Sequence, residues 1–273
     1  MNDADRKRAE HAIEDAWAFL EDGDAGAAAR ALESAQAAAP ADPAVIEVEA
    51  EIALADDEPD EALDAYERWM EADPADPTPL VRAAEIYLEY AEDTKSAIRL
   101  LRDALSNYDM AADEEADARD LLSEALQLKG DEAGQIRENL AVMRLDEAMD
   151  PRRPILTEEE FERIARAALD ELPRELLDRL GNVPVVIHER PSREMVLDGT
   201  DPRILGLFTG IPLPHSSTLG RPASGVILLF RRNIERFAGP PENIPEQIRV
   251  TVIHETAHYF GLDEDDLRRL GLG

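Results

Sequence analysis

The sequence predicts an all-α array of helical repeats over residues 1–150, followed by a small α+β domain over residues 151–273. The first part is rich in Ala, Leu, Glu and Asp, with apolar positions at helical spacing and proline or glycine only at the breaks. The second part contains short β-branched apolar runs between turn residues, which are typical of buried strands. The segment Asp150-Pro151-Arg152-Arg153-Pro154 separates the two parts, because its prolines cannot continue a helix.

The composition is that of an acidic protein without cysteine. The chain has 29 Lys and Arg residues against 61 Asp and Glu residues, and its formal net charge is -32. Such a surface repels nucleic-acid phosphates and anionic lipids, so we expect neither a nucleic acid nor a membrane as partner. Because no apolar run is long enough to cross a bilayer, we expect a soluble, cytoplasmic protein. Without cysteine, a metal ion must be held by His, Asp or Glu.

The helical region repeats itself with a period of 34 residues. The segment Pro40-Ala41-Asp42-Pro43 recurs as Pro74-Ala75-Asp76-Pro77, and the same shift places Ala28 on Ala62. Small residues let paired helices approach closely, and the proline ends the second helix of each pair. These features resemble the tetratricopeptide repeat, a helix-turn-helix unit of that length. The resemblance implies a concave groove, and we expect the array to bind a protein partner or to serve for dimerisation or spacing.

The α+β domain has recognisable helix signals at both of its ends. Thr157 and Glu160 form a capping box, and Pro245 suits the first position of a helix. The predicted elements are a helix from residue 157 towards 172, strands at 183–187 and 225–230, a long loop with one short strand between 206 and 225, and a last helix at 246–260 closed by Gly261.

The last helix carries a metal-binding pattern, His254-Glu255-Thr256-Ala257-His258. Residues four apart project from one face of a helix, so His254 and His258 can bind the same cation. Glu255 is rotated by about a quarter turn, where it can hydrogen-bond a water activated by the metal. We expect the opposite, core-facing stripe to consist of Val250, Ile253, Ala257 and Phe260.

A third metal ligand is expected after this helix. Only fifteen residues follow His258, too few for a further helix that carries a glutamate ligand, as one class of zinc peptidase has. In another class, a glycine such as Gly261 turns the chain back, and the residue three positions later binds the metal. That residue is Glu264 here. No methionine follows Met195, so the chain lacks the methionine turn of a standard metzincin.

The pattern His-Glu-x-x-His-x-x-Gly with its acidic follower, together with the upstream segment Gly206–Leu213, resembles the minimal zincin-like metallopeptidase family of bacteria. The resemblance covers approximately residues 157–273 and implies a small matrix-metalloprotease-like fold, a zinc ion and a peptide or protein substrate. It also implies aspartate at the third ligand position. Glu264 departs from that pattern, so Asp263 and Asp265 stay open as alternative ligands.

We therefore expect a zinc peptidase in which His254, His258 and Glu264 hold the metal and Glu255 acts as general base. The strand Val226–Phe230 is expected to offer an edge to an extended substrate. The alternative is a catalytically inactive zinc-binding module on a tetratricopeptide-like interaction scaffold, because a set of ligands does not by itself create a substrate cleft.

Overall fold

A computed structural model describes residues 3–151, 153–172, 174, 183–209 and 225–260. The chain divides into two compact units, Met1–Leu145 and Asp146–Gly273. The sequence predicts domains at residues 1–150 and 151–273, and that these domains fold independently stays a prediction.

The N-terminal unit, where the structure describes it, is built from helices. In the described part of the chain, no helix is long and apolar enough to cross a membrane. The described helices are α1 (Asp3–Glu21), α2 (Ala25–Ala38), α3 (Pro43–Ala55), α4 (Pro59–Ala72), α5 (Thr78–Glu89), α6 (Thr94–Asn107), α7 (Ala112–Lys129) and α8 (Glu132–Met149), whose last residues, from Asp146, belong to the second unit. From α1 to α7, each helix contacts the next one in the chain, and Arg119 and Ser123 of α7 hydrogen-bond Glu138 and Asn139 of α8.

The turn inside each of the first three helix pairs recurs in one backbone conformation. Gly23, Asp57 and Glu92 follow α1, α3 and α5, and their φ angles are 76°, 61° and 50°. Glycine adopts this left-handed region freely, whereas other residues do so at a cost of about 1–2 kcal/mol. Asp57 and Glu92 adopt this conformation without being glycine. The packing of the paired helices therefore determines the turn.

The small residues predicted for the repeats lie where helices pack most tightly. Ala28, Ala62 and Ala97 occupy corresponding positions on α2, α4 and α6, and each is completely buried. The larger side chains four positions later are buried as well: Leu32, Tyr66 and Leu101. The N-terminal unit therefore fits a helical repeat array.

In the residues that the structure describes, the C-terminal unit is a three-stranded sheet packed with helices, as predicted for an α+β domain. The central strand β3 (Val226–Phe230) runs parallel to β1 (Val185–His188) and antiparallel to β2 (Gly206–Thr209). The helical elements among the described residues are α9 (Glu158–Asp170), α10 (Arg193–Leu197), α11 (Arg231–Ala238), a 3-10 turn (Pro241–Asn243) and α12 (Ile244–Phe260). The capping box is confirmed, since the Glu160 N–H donates to Thr157 Oγ1 at 3.2 Å and the Thr157 N–H donates to the Glu160 carboxylate at 2.9 Å.

The central position of β3 contradicts the expectation that this strand offers an edge to substrate. Both of its edges are hydrogen-bonded within the sheet, one to β1 and the other to β2. β2 was expected only as a short strand in a loop, and its pairing fills the edge that the sequence analysis assigned to substrate.

The buried face of α12 differs from the predicted stripe at one position. Ile253, Ala257 and Phe260 are buried as expected, but Val250 is 44% exposed. Val250 lies four residues before His254, and residues four apart share a helix face. Placing Val250 on the face opposite the histidines was therefore wrong, and it forms an exposed apolar surface beside them.

A buried carboxylate joins two segments of the C-terminal unit. The Asp146 side chain is only 1% exposed and accepts hydrogen bonds from Arg203 Nε at 2.9 Å and Nη2 at 3.0 Å, and it also pairs with Arg236 on α11. Burial opposes ionisation of Asp146, but the two guanidinium groups outweigh it and hold the pKa below its usual value. The segment before β2 is thereby tied to the helix that follows β3.

We expect Asp146→Asn to destabilise this unit by about 3–5 kcal/mol, because Arg203 and Arg236 would lose their buried anion. Hydrogen exchange of peptides from α12 and β3 measures this loss. Because the folded pKa of Asp146 is lowered, its contribution is complete above the usual aspartate value and is lost as pH falls through the folded value.

The control for this experiment is Glu162→Gln, which breaks an exposed pair with Arg166 and should cost less than about 1 kcal/mol. Equal protection of α12 and β3 in both variants would contradict a stabilising role for the Asp146 ion pairs.

Candidate metal centre

Two histidines of α12 direct a ring nitrogen towards a common point. The Nε2 atoms of His254 and His258 are 3.0 Å apart, and the rings meet edge to face at 87°. Two nitrogens bound to a tetrahedral zinc ion at about 2.0–2.1 Å are separated by roughly 3.3 Å. The pair therefore fits a shared zinc ion after a shift of a few tenths of an ångström. His258 is exposed and His254 half-buried, so the shared point is open to solvent.

Glu255 points away from bulk solvent and contacts the outer strand of the sheet. Its side chain is buried, and Oε2 accepts a hydrogen bond of 2.7 Å from the backbone N–H of Phe208 on β2. The Leu205 carbonyl accepts a hydrogen bond from Phe230 of β3. Backbone groups of successive strand residues point to alternate sides, so the Phe208 N–H, three residues later, points away from β3. The carboxylate thus satisfies a donor that the edge strand would otherwise present to solvent.

Gly206 allows β2 to lie directly against the side chain of Glu255. A Cβ atom at Gly206 would be 2.7 Å from Glu255 Cγ and 3.0 Å from Thr251 Cγ2. Both distances are shorter than ordinary van der Waals contacts, so any larger residue here would displace the carboxylate. Neither Gly206 nor Phe208 is among the predicted site residues, although a glycine within a strand often marks a close backbone approach.

The environment of Glu255 makes it a stronger base than an exposed glutamate. Burial raises the pKa of the Glu255 carboxyl above its usual value, and the hydrogen bond from Phe208 and the nearby His258 and His254 offset this only in part. A raised pKa favours proton acceptance near neutral pH. Since Oε2 is engaged by Phe208, Oε1 is the oxygen suited to proton transfer.

The third ligand lies outside the described residues, whether it is Glu264, as predicted, or one of the alternatives Asp263 and Asp265. Within the described part of the chain, no three His, Asp or Glu side chains form a metal site. His254 and His258 are thus two of the three expected ligands, and the assignment of all four site residues, including the general base Glu255, stays a prediction.

The arrangement of a paired-histidine helix against a short mixed sheet agrees with a comparison against protein families. Residues 180–273 match the zincin-like metallopeptidase family. The matched zincin-like region contains all three strands and α12, and it covers less than half of the chain. No curated protein matches the sequence. No tetratricopeptide family is detected in the N-terminal helices.

The zincin-like match supports a zinc peptidase fold for the C-terminal unit, and proteins of this kind generally bind zinc. The donor chemistry of the site agrees with that metal, because paired imidazoles with carboxylates nearby are usual zinc ligands in catalytic sites. The chain has no cysteine that would compete for the ion.

In a zinc peptidase that uses Glu255 as general base, Gly206→Ala would lower the rate of hydrolysis without removing zinc, because the new Cβ would displace Glu255 and leave the histidines in place. Overpacking should also cost about 1–3 kcal/mol of stability. Zinc content, melting temperature and hydrolysis of casein measure the three effects separately.

The matched control is Gly26→Ala on α2, where a Cβ would meet nothing closer than 3.5 Å. This variant should keep both zinc and activity. Full activity and an unchanged melting temperature in Gly206→Ala would show that β2 does not hold Glu255 in place.

Proposed function

We propose that the zincin-like unit is a zinc-dependent peptidase with His254, His258 and Glu264 as metal ligands and Glu255 as general base. The observation that supports it most directly is the convergence of the two Nε2 atoms next to a buried, basic carboxylate. The family match makes peptides or proteins the expected substrates.

In this proposal, the chain's own residues supply orientation and proton transfer. The zinc ion, when bound, acts as a Lewis acid and makes water nucleophilic near neutral pH. Glu255 takes a proton from the attacking water at Oε1 while the Phe208 N–H fixes Oε2. As the C–N bond of the peptide breaks, the protonated Glu255 donates that proton to the leaving amine. His254 and His258 would hold the metal through their ring nitrogens.

The helical array has a separate role in this proposal. Its stacked helix pairs present surfaces that suit protein partners, and we assign it the recruitment of a partner or substrate. Residues 1–150 are thus an interaction domain and residues 151–273 a peptidase domain.

Glu255→Gln is expected to retain zinc and to lower casein hydrolysis by about 10²–10⁴-fold, because an amide cannot accept the proton. The matched control, Glu246→Gln, changes an exposed acid of the same helix that pairs with Arg249, and it should leave the rate unchanged. A chelated sample supplies the background rate. If Glu255→Gln cleaves casein as fast as the wild type, this mechanism is wrong; if neither protein cleaves any peptide of a library, the zinc-binding module is the better account.

The ligand assignment predicts which substitutions release zinc. His254→Ala, His258→Ala and Glu264→Gln should each lower the zinc affinity strongly, whereas His11→Ala, at an exposed position on α1, should not. Zinc competition with a chromogenic chelator measures the affinities. Retention of zinc by Glu264→Gln and its loss from Asp263→Asn or Asp265→Asn would transfer the third ligand to that aspartate.

A further inference from the structure

The N-terminal unit contains a cavity of about 430 Å³ formed by α3, α4, α5 and α7. Small-ligand sites typically have volumes of about 300–1,000 Å³. A second cavity of about 280 Å³ adjoins it and shares Arg82, Glu85 and Leu121 as lining residues. The two together form a groove along α5 and α7, which we call the α5–α7 groove.

The walls of the larger cavity combine apolar and aromatic surface with carboxylates. Leu54, Leu88 and Leu121 are half-buried there, and Tyr90 is 41% exposed. Four glutamates line the same cavity: Glu51, Glu85, Glu89 and Glu124. An aliphatic stem can therefore lie along the wall while its charged end reaches a carboxylate.

The carboxylates of this cavity are only partly neutralised by the chain itself. Among the described residues that line the cavity, Arg82 is the one cation, and it pairs with Glu85 at 3.0 Å. Tyr66 donates a hydrogen bond to Glu51 at 3.4 Å, which adds no positive charge. Burial also raises the pKa of the nearby Glu47. Arg82 lowers this pKa in part, and the negative charge of Glu51 raises it. The groove thus holds more negative charge than its own residues balance.

We propose that the α5–α7 groove binds a peptide segment in which arginine or lysine alternates with apolar residues. The cationic end of such a side chain would meet Glu51 and Glu124 and can stack on the exposed ring of Tyr90. Its hydrocarbon stem and the apolar neighbours would cover Leu54 and Leu121. Charge complementarity selects this occupant, because an acidic or purely apolar segment would leave the carboxylates without counter-charge.

This inference deepens the proposed role of the array in protein binding and is independent of the peptidase chemistry. The 273-residue chain, treated with a chelator so that no hydrolysis occurs, is titrated with a fluorescein-labelled peptide of arginine, leucine and serine. A second peptide, with citrulline in place of each arginine, keeps the shape and removes the charge. Fluorescence anisotropy at 0.15 M salt measures binding under conditions where distant charges are screened beyond about 8 Å.

The double substitution Glu51→Gln with Glu124→Gln should weaken binding of the arginine peptide at least about tenfold, which corresponds to roughly 1.4 kcal/mol. The control is Glu67→Gln with Glu71→Gln, which removes the same charge from exposed positions of α4 that line neither cavity. It should change the dissociation constant less than about twofold, because screened charges contribute little. Circular dichroism verifies the fold of both variants, and the amide oxygen that Glu51→Gln introduces can still accept a hydrogen bond from the Tyr66 hydroxyl.

A single change at the exposed Glu124 keeps the test valid if the double variant does not fold. Glu124→Lys places a competing cation at the groove and should reduce binding further, while Glu71→Lys on α4 should not. Equal weakening by groove and control variants would assign binding to net charge alone and overturn the proposal. Equal affinity for the citrulline peptide, or no binding of either peptide, would also overturn it while leaving the peptidase proposal intact.

Discussion

The hydrogen bond from the Phe208 N–H to the buried carboxylate of Glu255 connects the outer strand of the sheet to the helix that carries both histidines. Gly206 makes this contact possible, because any side chain there would overlap Glu255. With Glu255 held against the strand, His254 and His258 occupy the adjacent, more open side of the helix. Rotating α12 to expose the carboxylate would break the strand contact and separate the proposed base from the Phe208 N–H that fixes it.

The pKa values of three carboxylates, Asp146, Glu255 and Glu47, shift in different directions according to burial and to the positive charge nearby. Two arginines hold the pKa of Asp146 low, which suits a permanent ion pair. Burial raises the pKa of Glu255 and of Glu47, because their positive neighbours do not fully offset it. Under-compensated carboxylates of this kind concentrate at functional sites, although structural networks also produce them. One lies beside the paired histidines and the other beside the α5–α7 groove.

Much of the fold follows from local sequence signals, and the parts that were missed depend on distant contacts. The sequence shows the repeats because paired helices require small residues at their contacts and helix-ending prolines that recur at a fixed period. The capping box at Thr157 is likewise a local motif. The pairing of β2 with β3 joins residues far apart in sequence, so the edge assigned to Val226–Phe230 was wrong. The i, i+4 rule could have corrected Val250, since it shares a face with His254. Gly206 within a strand signals a close backbone approach, but no local pattern shows that Glu255 of α12 is the group that approaches.

X-ray absorption at the zinc edge tests most directly whether His254 and His258 bind one ion together. For the full-length chain loaded with one equivalent of zinc, we expect a four-coordinate first shell at about 2.0–2.1 Å with the outer-shell scattering of two imidazoles. The remaining ligands should be oxygen, because the chain has no cysteine. A six-coordinate shell of oxygens without imidazole scattering would show that the two rings do not share a zinc ion, and the proposed metal centre would fail.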